Sequence, residues 1–579
     1  MTNSQEKQEM SRRNFLGIAG GAAGMAALLS MGIPSSWAAN KSTIDLNKMD
    51  YQDYETDVLV IGGGMAGLFA AVKAHDAGAK VMLVSKGRLG SSGQTPFAKG
   101  FFVFDPEKEE QSIDDFVDTV SQSAMGSNNA VYTRQVAAHS LARVNELREW
   151  GFFDSALYNK SFSKPISERN IPIMERIVIT HLIKEEGRIA GAAGFSLDEE
   201  KLYFFNSKSV ILCTGAGGFK PNGFPICDLT HDGTIMAYNI GAKVTGKEWN
   251  DGHPGQATNA AACFDGWHGM FERKPSTTGI EVHHDLGVEL NYKAYQRGNP
   301  VEMGRPGMAE NTEITGGPFV PAEFKRSGPP SDAQGPRKDR PRPKDGEAPP
   351  GMQGIVVGGS SAGMSIHKSE GLVPINDKCE SNIPGLYAAG DALGSYMAGA
   401  IYTQGGSSLA GSAVQGAIAA EAAADYCKTV EMPIISVLEM NTIKEEILAP
   451  LKRTTGYSPA WVTQTLQGIM IPNFILYIKK ESLLKAALAY IEELRDHHMP
   501  LLRAADMHEL RLAHETANMI LSAEMKLKAS IMRKESRCSH YRLDYPEFDD
   551  ENWRAWINIF KGDDNTMQFE KQPFGSWPL

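Results

Sequence analysis

The sequence lacks cysteines spaced for a metal or a cluster. Its 579 residues include only six cysteines, which are scattered along the chain and form no Cys-x-x-Cys pair. This spacing argues against an iron–sulfur cluster, a structural zinc site or an attached c-type haem within the chain. We therefore predict no metal site. Any electrons that the protein handles must arrive from, or leave to, another molecule.

An excess of basic residues is also missing. The formal charge is −11, which argues against nucleic acid as a partner, because phosphate backbones are bound through clustered Lys and Arg. The negative charge fits simple solubility, or else a basic electron-transfer partner. Hydrophobic residues make up 42% of the chain and charged residues 22%, as in soluble globular proteins. The length predicts two or three domains.

No apolar run near the N-terminus is long enough to be a convincing membrane span. Residues 11–16, SRRNFL, carry a twin-arginine signature, and a glycine-rich apolar run follows at 17–33. A small-x-small site, SWA at 36–38, precedes Ala39. We predict that residues 1–45 are a twin-arginine signal peptide and linker, and that the mature protein is periplasmic. Because this route carries folded proteins, it suits a protein that takes up a cofactor before crossing.

The most informative stretch is DVLVIGGGMAGLFAA, at residues 57–71. An aliphatic strand leads into Gly62, Gly64 and Gly67, spaced as G-x-G-x-x-G, and a helix of small apolar residues follows. The first glycine makes the turn, the second lets a pyrophosphate approach the backbone, and the third lets helix and strand pack closely. Free N–H groups at Met65 and Ala66 then face the phosphates. A second strand at 80–84 closes a βαβ unit, so we predict dinucleotide binding.

Further glycine-rich turns recur along the chain. GSSGQTP at 90–96 either runs along the cofactor or is a plain surface turn. A β-hairpin after Arg188 precedes a separate hydrophobic strand at 209–213, whose following turn offers bare N–H groups. THDG at 230–233 is expected to cap a helix at 234–239 that ends at Gly241. The residues of these turns assigned to the cofactor are Ser91, Ser92, Gly93, Gln94, Thr214, Gly215 and Asp232.

The rest of the chain divides by composition. Residues 111–150 have helical periodicity. Residues 300–350 hold too few large apolar groups for a core, so we expect an exposed, extended or mobile loop, or alternatively a basic docking arm. A short buried strand then ends in Gly390 and Asp391, and Ser407, Ser408 and Leu409 open a small-residue helix. From about 436 the pattern is amphipathic and helical, including 481–502 and 506–534.

Six separated motifs now agree: VLVIGGGMAGLFAA, VMLVSK, VILCTGAGG, HDGTIMAYNIGA, IPGLYAAGDA and ESRCSHYRLDYPEFDD. Together they resemble the flavoprotein subunits of the fumarate reductase and succinate dehydrogenase superfamily, which also includes L-aspartate oxidase and the adenylylsulfate reductase α subunit. The resemblance implies FAD rather than NAD, and an α/β fold in which a Rossmann-like FAD-binding domain carries an inserted capping domain and is followed by a C-terminal helical domain. The implied boundaries are 46–245 and 353–432 for the FAD-binding domain, 246–352 for the capping domain and 433–579 for the helical domain.

The same resemblance assigns roles around FAD. Ser85 and Lys86 stand where relatives contact the adenosine ribose. Asp391 would accept a hydrogen bond from a ribityl hydroxyl, and the helix opening at Ser407 would face the pyrimidine end of the ring and stabilise charge on it. The covalent flavin link of respiratory members uses a histidine within the segment matching 90–100. No histidine occurs there, so we expect noncovalent FAD.

The catalytic match is partial. His253, preceded by Glu248, stands where the family has a substrate-polarising histidine; alternatively it belongs to a structural His-Pro turn. A second substrate histidine has no counterpart in residues 354–366, and the arginine that clamps a carboxylate is missing from 399–404. A dicarboxylate needs bidentate cationic partners. Fumarate, succinate and aspartate are therefore disfavoured as substrates.

Proton transfer would fall to an arginine or to Tyr402. Arg297 has the spacing of the family's proton-shuttling arginine, with Arg273 and Arg305 as rivals. Near the C-terminus, Arg537 and His540 match an Arg and a His of the family, and we expect them to join the helical domain to the FAD domain through salt bridges.

These observations predict an exported FAD-dependent oxidoreductase. It would move two electrons between flavin and a small, uncharged or aromatic-containing substrate, and exchange them with a separate iron–sulfur or cytochrome partner. Two alternatives stay open: an adenylylsulfate reductase-like flavoprotein acting on a sulfur compound, and a flavin electron carrier with no substrate of its own.

Overall fold

The structure is a computed structural model that describes residues 49–576, apart from 97–100, 110, 153–157, 221–225, 227, 252–254, 257–271, 274–300, 303–354, 358–363, 366 and 402–405. The predicted export signal, His253, Arg297, Arg305, Tyr402 and most of the predicted capping domain lie outside the described residues. Within them, no helix combines the length and apolarity needed to cross a membrane.

The strands are β1 Asp50–Ile61, β2 Val81–Ser85, β3 Phe101–Phe102, β4 Ile173–Glu175, β5 Ile177–Glu185, β6 Arg188–Ser196, β7 Lys201–Leu212, β8 Val244–Thr245, β9 Gly255–Gln256, β10 Glu272–Arg273, β11 Val301–Glu302, β12 Ile355–Val357, β13 Gly371–Leu372, β14 Leu386–Ala388, β15 Ile478–Lys479, β16 Tyr541–Arg542, β17 Ala555–Lys561 and β18 Met567–Pro573. The α-helices are α1 Met65–Asp76, α2 Ile113–Ser123, α3 Ala130–Glu149, α4 Tyr158–Glu168, α5 Asp232–Asn239, α6 Ser407–Cys427, α7 Val437–Lys452, α8 Pro459–Met470, α9 Asn473–Leu476, α10 Glu481–Glu493, α11 Met507–Met532 and α12 Asp550–Trp553.

The main sheet has seven strands. Its order is β4-β2-β1-β7-β6-β5, and β14 pairs with the far end of β7. The strands β4, β2, β1, β7 and β14 run parallel, whereas β5, β6 and β7 pair antiparallel. Because parallel strands end at the same edge, the turns that follow β1, β2, β7 and β14 meet there. This edge carries most of the predicted cofactor residues.

The prediction of a separate strand at 209–213 is wrong. The second strand of the hairpin and the strand that leads into the glycine turn are one continuous strand, β7. Its first half pairs with β6 and its last three residues pair with β14, while β1 runs beside its whole length. No glycine or proline interrupts β7, so the chain stays extended from the hairpin to the turn.

Two helices of small residues pack closely on the parallel strands. At Gly416 of α6, a Cβ atom would lie 2.4 Å from the carbonyl oxygen of Ala66 in α1, so the two helices touch through their backbones. Their shared core with the main sheet includes Leu68, Phe69 and Val414, all fully buried or nearly so. This packing brings the N-terminal ends of α1 and α6 to the same edge of the sheet.

The C-terminal part contains more than the predicted helices. Helices α8, α10 and α11 share a buried core that includes Leu466, Ile491 and Ile520. The chain then forms an antiparallel hairpin from β17 and β18, which joins β8 and β13 in a four-stranded sheet. The last strands of the chain therefore pair with strands that precede and follow the predicted capping domain.

Candidate functional site

A groove lies at the carboxyl edge of the parallel strands, with about 950 Å³ of empty space that includes its opening to solvent. Sixteen of the predicted cofactor residues line it: Gly62, Gly64, Met65, Ala66, Ser85, Lys86, Ser92, Gly93, Gln94, Thr214, Gly215, Asp232, Gly390, Asp391, Ser408 and Leu409. Three other predicted residues, Gly67, Ser91 and Ser407, are not part of its lining. The structure thus brings together turns that lie more than 300 positions apart in the sequence.

The glycine turn is closed by backbone contacts. Gly62 has φ +122°, and a Cβ there would lie 2.1 Å from the Cys213 carbonyl oxygen. A Cβ at Gly67 would lie 1.8 Å from the Gly62 carbonyl oxygen. Both separations are far below van der Waals contact, so only glycine fits. Gly67 therefore packs α1 onto β1 and does not line the groove.

Two helix N-termini open on the groove, and each has a glycine at its N-cap position. Gly64 is the N-cap of α1 and Gly406 is the N-cap of α6, and neither cap makes a side-chain hydrogen bond. The backbone N–H of Met65, predicted to be free for the phosphates, instead donates to Thr95 Oγ1 at 3.1 Å, so the prediction is wrong for Met65, and Thr95 is a groove residue that the sequence prediction missed. Backbone N–H groups at a helix N-terminus and the helix dipole favour an anionic group such as a pyrophosphate.

An orphaned polar atom completes the fit to FAD. The amide oxygen of Gln94 lies on the groove, is buried, and has no hydrogen-bond partner among the described residues. A buried acceptor without a partner costs free energy, so a donor on a bound ligand would satisfy it. Together with the two helix N-termini and the glycine turn, it fits a dinucleotide that carries both phosphates and polar ring groups. When bound, FAD supplies a ring that exchanges two electrons with a substrate.

Asp391 lies on the groove beside two basic side chains. Its carboxylate accepts hydrogen bonds from the Lys368 ammonium and from His367 Nδ1, the latter at 3.2 Å. Burial raises the pKa of Asp391, but the nearby Lys368 ammonium and the hydrogen bonds from Lys368 and His367 outweigh burial and hold that pKa below its ordinary value. The carboxylate is therefore an ionised acceptor, as the predicted contact with a ribityl hydroxyl requires.

Lys86 and Asp232 contact each other instead of standing free in the groove. Lys86 Nζ donates to Asp232 Oδ2 at 2.7 Å and to Glu515 Oε1 of α11 at 2.8 Å. Burial lowers the pKa of Lys86, but the charges of Asp232 and Glu515 raise it more, so the net shift is upward. The predicted cap is also wrong: α5 begins at Asp232, and its N-cap is His231, at φ +63°, without a side-chain hydrogen bond.

The C-terminal motif forms a buried ion network. Arg537 donates to Glu535 and, at 2.6 Å, to Asp550, and its Nη1 also reaches the Met125 carbonyl oxygen at 3.4 Å. Both of these carboxylates belong to the C-terminal part, so among the described residues the predicted salt bridge to the FAD-binding part is not formed, and Arg537 reaches that part through its hydrogen bond to Met125. His540 differs from the prediction, because the partners of its ring among the described residues are Lys479 Nζ and the Arg533 carbonyl oxygen, and neither is a carboxylate.

The segment that leads to His253 is held by the C-terminal part. Tyr477 donates to the Asp251 carbonyl oxygen at 2.7 Å, and the Asn250 amide donates to the Leu476 carbonyl oxygen at 2.8 Å. Glu248, the predicted glutamate ahead of His253, is fully buried and paired with Arg533 at 3.0 Å. The last described residue before His253 is therefore anchored from a region more than 220 positions away.

His367 and Lys368 were missed by the sequence prediction. His367 places Nδ1 on Asp391 and Nε2 at 3.6 Å from Asp251 Oδ2, so it lies between the groove and the segment that precedes His253. The sequence does contain a feature that points to these two residues. Residues 354–366 contain no charged side chain, and the ionisable residues His367, Lys368 and Glu370 then follow within four positions.

Known protein families match both ends of the described chain. The model of the FAD binding domain matches residues 57–164, and the model of the fumarate reductase flavoprotein C-terminal region matches residues 463–577. An uncharacterized FAD-dependent oxidoreductase of Methanocaldococcus jannaschii is 26% identical, over 89% of this chain and 98% of its own. One subunit of the fumarate reductase (CoM/CoB) of Methanothermobacter marburgensis is 24% identical, over 88% and 98%.

Solved structures share the fold. E. coli quinol fumarate reductase FrdA superposes with a TM-score of 0.67 at 18% identity, covering 90% of this chain and 97% of its own. Adenylylsulfate reductase of Archaeoglobus fulgidus superposes with a TM-score of 0.68 at 20% identity, covering 91% and 97%.

Proposed function

Because the chain is an FAD-dependent oxidoreductase of the fumarate reductase and succinate dehydrogenase flavoprotein superfamily, we propose that it transfers two electrons between FAD and a small organic substrate other than fumarate or succinate. It does so after export, and it exchanges those electrons with a separate redox protein. The backbone of the Gly62–Ala66 turn, Gln94 and Asp391 hold FAD, and His253 orients the substrate.

The main observation against a dicarboxylate substrate is the negative charge on both sides of His367. Both ring nitrogens of His367 face carboxylates, Asp391 on one side and Asp251 on the other. Among the described residues nearby, the Lys368 ammonium is paired with Asp391. A dicarboxylate would meet two carboxylates here and would lack a bidentate cationic clamp. An uncharged or aromatic-containing substrate avoids that repulsion.

The missing clamp supports the same choice. Ala400 and Ile401, in the segment where relatives carry the clamping arginine, are fully buried or nearly so. Tyr402 follows them and is proposed, with Arg297, to handle the proton; both lie outside the described residues. Hydrogen-bonding groups in place of fixed charges suit a carbonyl or a polarised double bond.

The proposals that the protein is exported and that it has an electron-transfer partner rest on the sequence. Residues 11–16 carry the paired arginines, and the scattered cysteines supply no cluster of their own. The Methanothermobacter marburgensis relative is, by its name, one subunit of a larger enzyme. Fractionation of cells should recover the protein in the periplasm, and replacing both Arg12 and Arg13 by Lys should retain it in the cytoplasm.

The decisive experiment is stopped-flow reoxidation. The holoprotein is reduced anaerobically and mixed with unsaturated acids, phenols, sulfur oxyanions and fumarate, while flavin absorbance is followed. Fast reoxidation by one organic compound that is not a dicarboxylate supports the proposal, whereas reoxidation by a sulfur oxyanion alone contradicts it and supports the adenylylsulfate reductase-like alternative. Reoxidation by fumarate alone, or by none of the panel, contradicts it, and in the second case the protein is an electron carrier. His253→Ala should abolish that reaction, whereas the exposed His75→Ala should leave it unchanged.

A further inference from the structure

Lys368 lies directly beneath the wall of the groove. Its side chain is buried, with only 1% of its surface exposed. The ammonium donates to the Asp391 carboxylate, to the Ser408 carbonyl oxygen at 2.8 Å and to Ser412 Oγ at 3.1 Å. All three of these partners line the groove, whereas Lys368 itself does not. One buried cation therefore supports both the Gly390–Asp391 turn and the first turns of α6.

The backbone at Lys368 is strained in a way that directs the side chain there. Its φ is +64°, in the left-handed region that a non-glycine residue rarely adopts. Such a conformation persists only where the surroundings hold it. Here the Lys368 carbonyl oxygen accepts a 2.7 Å hydrogen bond from the Tyr396 N–H, and Cε lies 3.0 Å from the position of a Cβ on Gly411.

The charges around this pair are few. The groups that face Asp391 are Lys368 and His367, and Asp251 lies beyond the His367 ring. From α6, Lys368 contacts the carbonyl oxygen of Ser408 and the hydroxyl oxygen of Ser412, neither of which carries a charge. The field of the Lys368 ammonium is thus screened by one carboxylate in a site of low dielectric.

We propose that Lys368 is a positioning residue of the FAD site. It keeps Asp391 ionised and oriented as the acceptor for a ribityl hydroxyl, and its positive charge raises the midpoint potential of the bound flavin. The helix dipole of α6 acts in the same direction, because Lys368 and the N-terminus of α6 reach the same part of the groove. This role concerns the binding of FAD and not the identity of the substrate. The experiments on Lys368 can therefore contradict this role while the proposed function holds, and the stopped-flow panel can contradict the proposed function while this role holds.

The test replaces Lys368 by methionine in the holoprotein, with Lys368→Arg as the charge-preserving control. For Lys368→Met we expect the dissociation constant of FAD at pH 7 to rise about tenfold. The measurement is the recovery of flavin fluorescence when the holoprotein is diluted. We also expect reduced FAD to lose about tenfold more affinity than oxidised FAD, which lowers the midpoint potential by about 30 mV for a two-electron couple. Lys368→Arg should change the midpoint potential, relative to the wild type, by no more than about a third of that shift.

The pH profile gives a readout that packing alone would not change. In the wild type, Asp391 stays ionised, so FAD dissociation should be flat down to about pH 5. In Lys368→Met, the pKa of Asp391 rises, so FAD should dissociate more readily as the pH falls below about 6. Equal FAD loss in the Met and Arg variants, with an unchanged potential and a flat pH profile, would overturn the proposal.

A second variant decides the question if Lys368→Met does not fold. Asp391→Asn removes the opposing negative charge and leaves the ammonium in place, so the midpoint potential should rise by about 30 mV even though FAD binds more weakly. An unchanged or lower potential in Asp391→Asn would contradict an electrostatic role for the pair.

Discussion

Two buried regions of the molecule close in different ways. The glycine turn between β1 and α1 closes through backbone contacts, with separations that leave no room for a Cβ at Gly62 or Gly67. The second region, which we call the seam, joins residues 247–251 and Glu370 to α11 and the residues that follow it. It closes through charges, since Arg533 pairs with both Glu248 and Glu535 while all three are fully buried.

The difference lies in what each region requires of the sequence. The turn needs small residues within six positions, and those residues appear as a motif. The seam needs opposite charges that meet across 285 positions, from Glu248 to Arg533. Buried ion pairs add little net stability because desolvation offsets their attraction, but removing one partner leaves an uncompensated charge. The seam therefore specifies how the two segments dock more than it stabilises the fold.

The largest effect is expected in the turn. Gly67→Ala would place a Cβ 1.8 Å from the Gly62 carbonyl oxygen, and backbone cannot move aside as a flexible side chain can. We expect a loss of more than about 5 kcal/mol in the free energy of unfolding, together with loss of bound FAD. Chemical denaturation and the flavin content of the purified protein measure both.

Gly468→Ala is the matched control. Gly468 lies within α8, and no atom lies within 4 Å of a Cβ placed there. This change should stabilise the protein by about 0.5 to 1 kcal/mol, because alanine favours helix. A similar stability for both alanine variants would show that the turn does not depend on its glycines.

The next effect breaks the seam. Arg533→Met leaves Glu248 and Glu535 buried and removes the hydrogen bonds to the carbonyl oxygens of Trp553 and Ala555. We expect a loss of about 3 to 5 kcal/mol in the free energy of unfolding, measured by denaturant titration. Arg134→Met, which breaks an exposed pair with Asp114, should cost less than about 1 kcal/mol. Equal losses of stability in Arg533→Met and Arg134→Met would contradict the prediction that the buried ion pairs matter more than the exposed pair.

A pH dependence follows from His231, which lies between the turn region and the seam. Burial lowers its pKa from 6.5 to about 4, although its hydrogen bond to Glu370 acts in the opposite direction. Above pH 6.5 the ring is neutral in both states. As the pH falls to 4, the unfolded chain takes up a proton that the folded protein does not, so stability falls by roughly 3 kcal/mol across that window.

His231→Asn tests this dependence. Asparagine tolerates the left-handed backbone of this N-cap position, so the fold has the best chance of surviving the change. The variant should lose about 3 kcal/mol less than the wild type between pH 6.5 and 4, as measured by unfolding at each pH. His514, buried with its pKa also lowered to about 4, is present in both proteins. Identical pH slopes for the two proteins would exclude His231 as the source.

The smallest effect is expected at Lys86, which follows β2 and pairs with Asp232 and with Glu515 of α11. Its side chain is 18% exposed, and its partners keep other contacts: Glu515 with Lys220, and Asp232 with Asn518. Lys86→Met should therefore cost only about 1 kcal/mol of stability. Lys428→Met, which breaks an exposed pair with Asp425, should leave the stability unchanged within the error of the measurement. Loss of FAD from Lys86→Met at unchanged stability would instead identify Lys86 as a direct cofactor contact.

The sequence prediction was accurate where neighbouring residues determine the structure, and it failed where residues far apart in the sequence interact. The strands and helix around Gly62 were predicted to within a few residues, apart from the longer N-terminal extension of β1, because turn, strand and helix there are set by neighbouring residues. The separate strand at 209–213 was wrong because pairing with β1 keeps β7 extended. The hairpin of β17 and β18 was missed because its place beside β8 depends on residues more than 300 positions away.

The candidate site shows the same division. Most groove residues were predicted because each glycine-rich turn follows a recognisable strand. Lys368 and His367 were missed because their partner Asp391 lies on another turn, 23 and 24 positions further along the chain. Lys86 was predicted as a cofactor residue, and its ion pairs with Asp232 and Glu515 could not be read from its local sequence.

By itself, the sequence determined the FAD-binding turn, the succession of strands and helices around it, and the absence of closely spaced cysteines that would hold a cluster. Those features depend on backbone freedom and hydrophobic periodicity over a few residues. Only the tertiary structure decided which charges meet: Lys368 beneath the groove, His367 between two carboxylates, and Arg533 between two buried glutamates. A charge can be buried only where a partner from a distant segment offsets its desolvation, so its role is set by the fold.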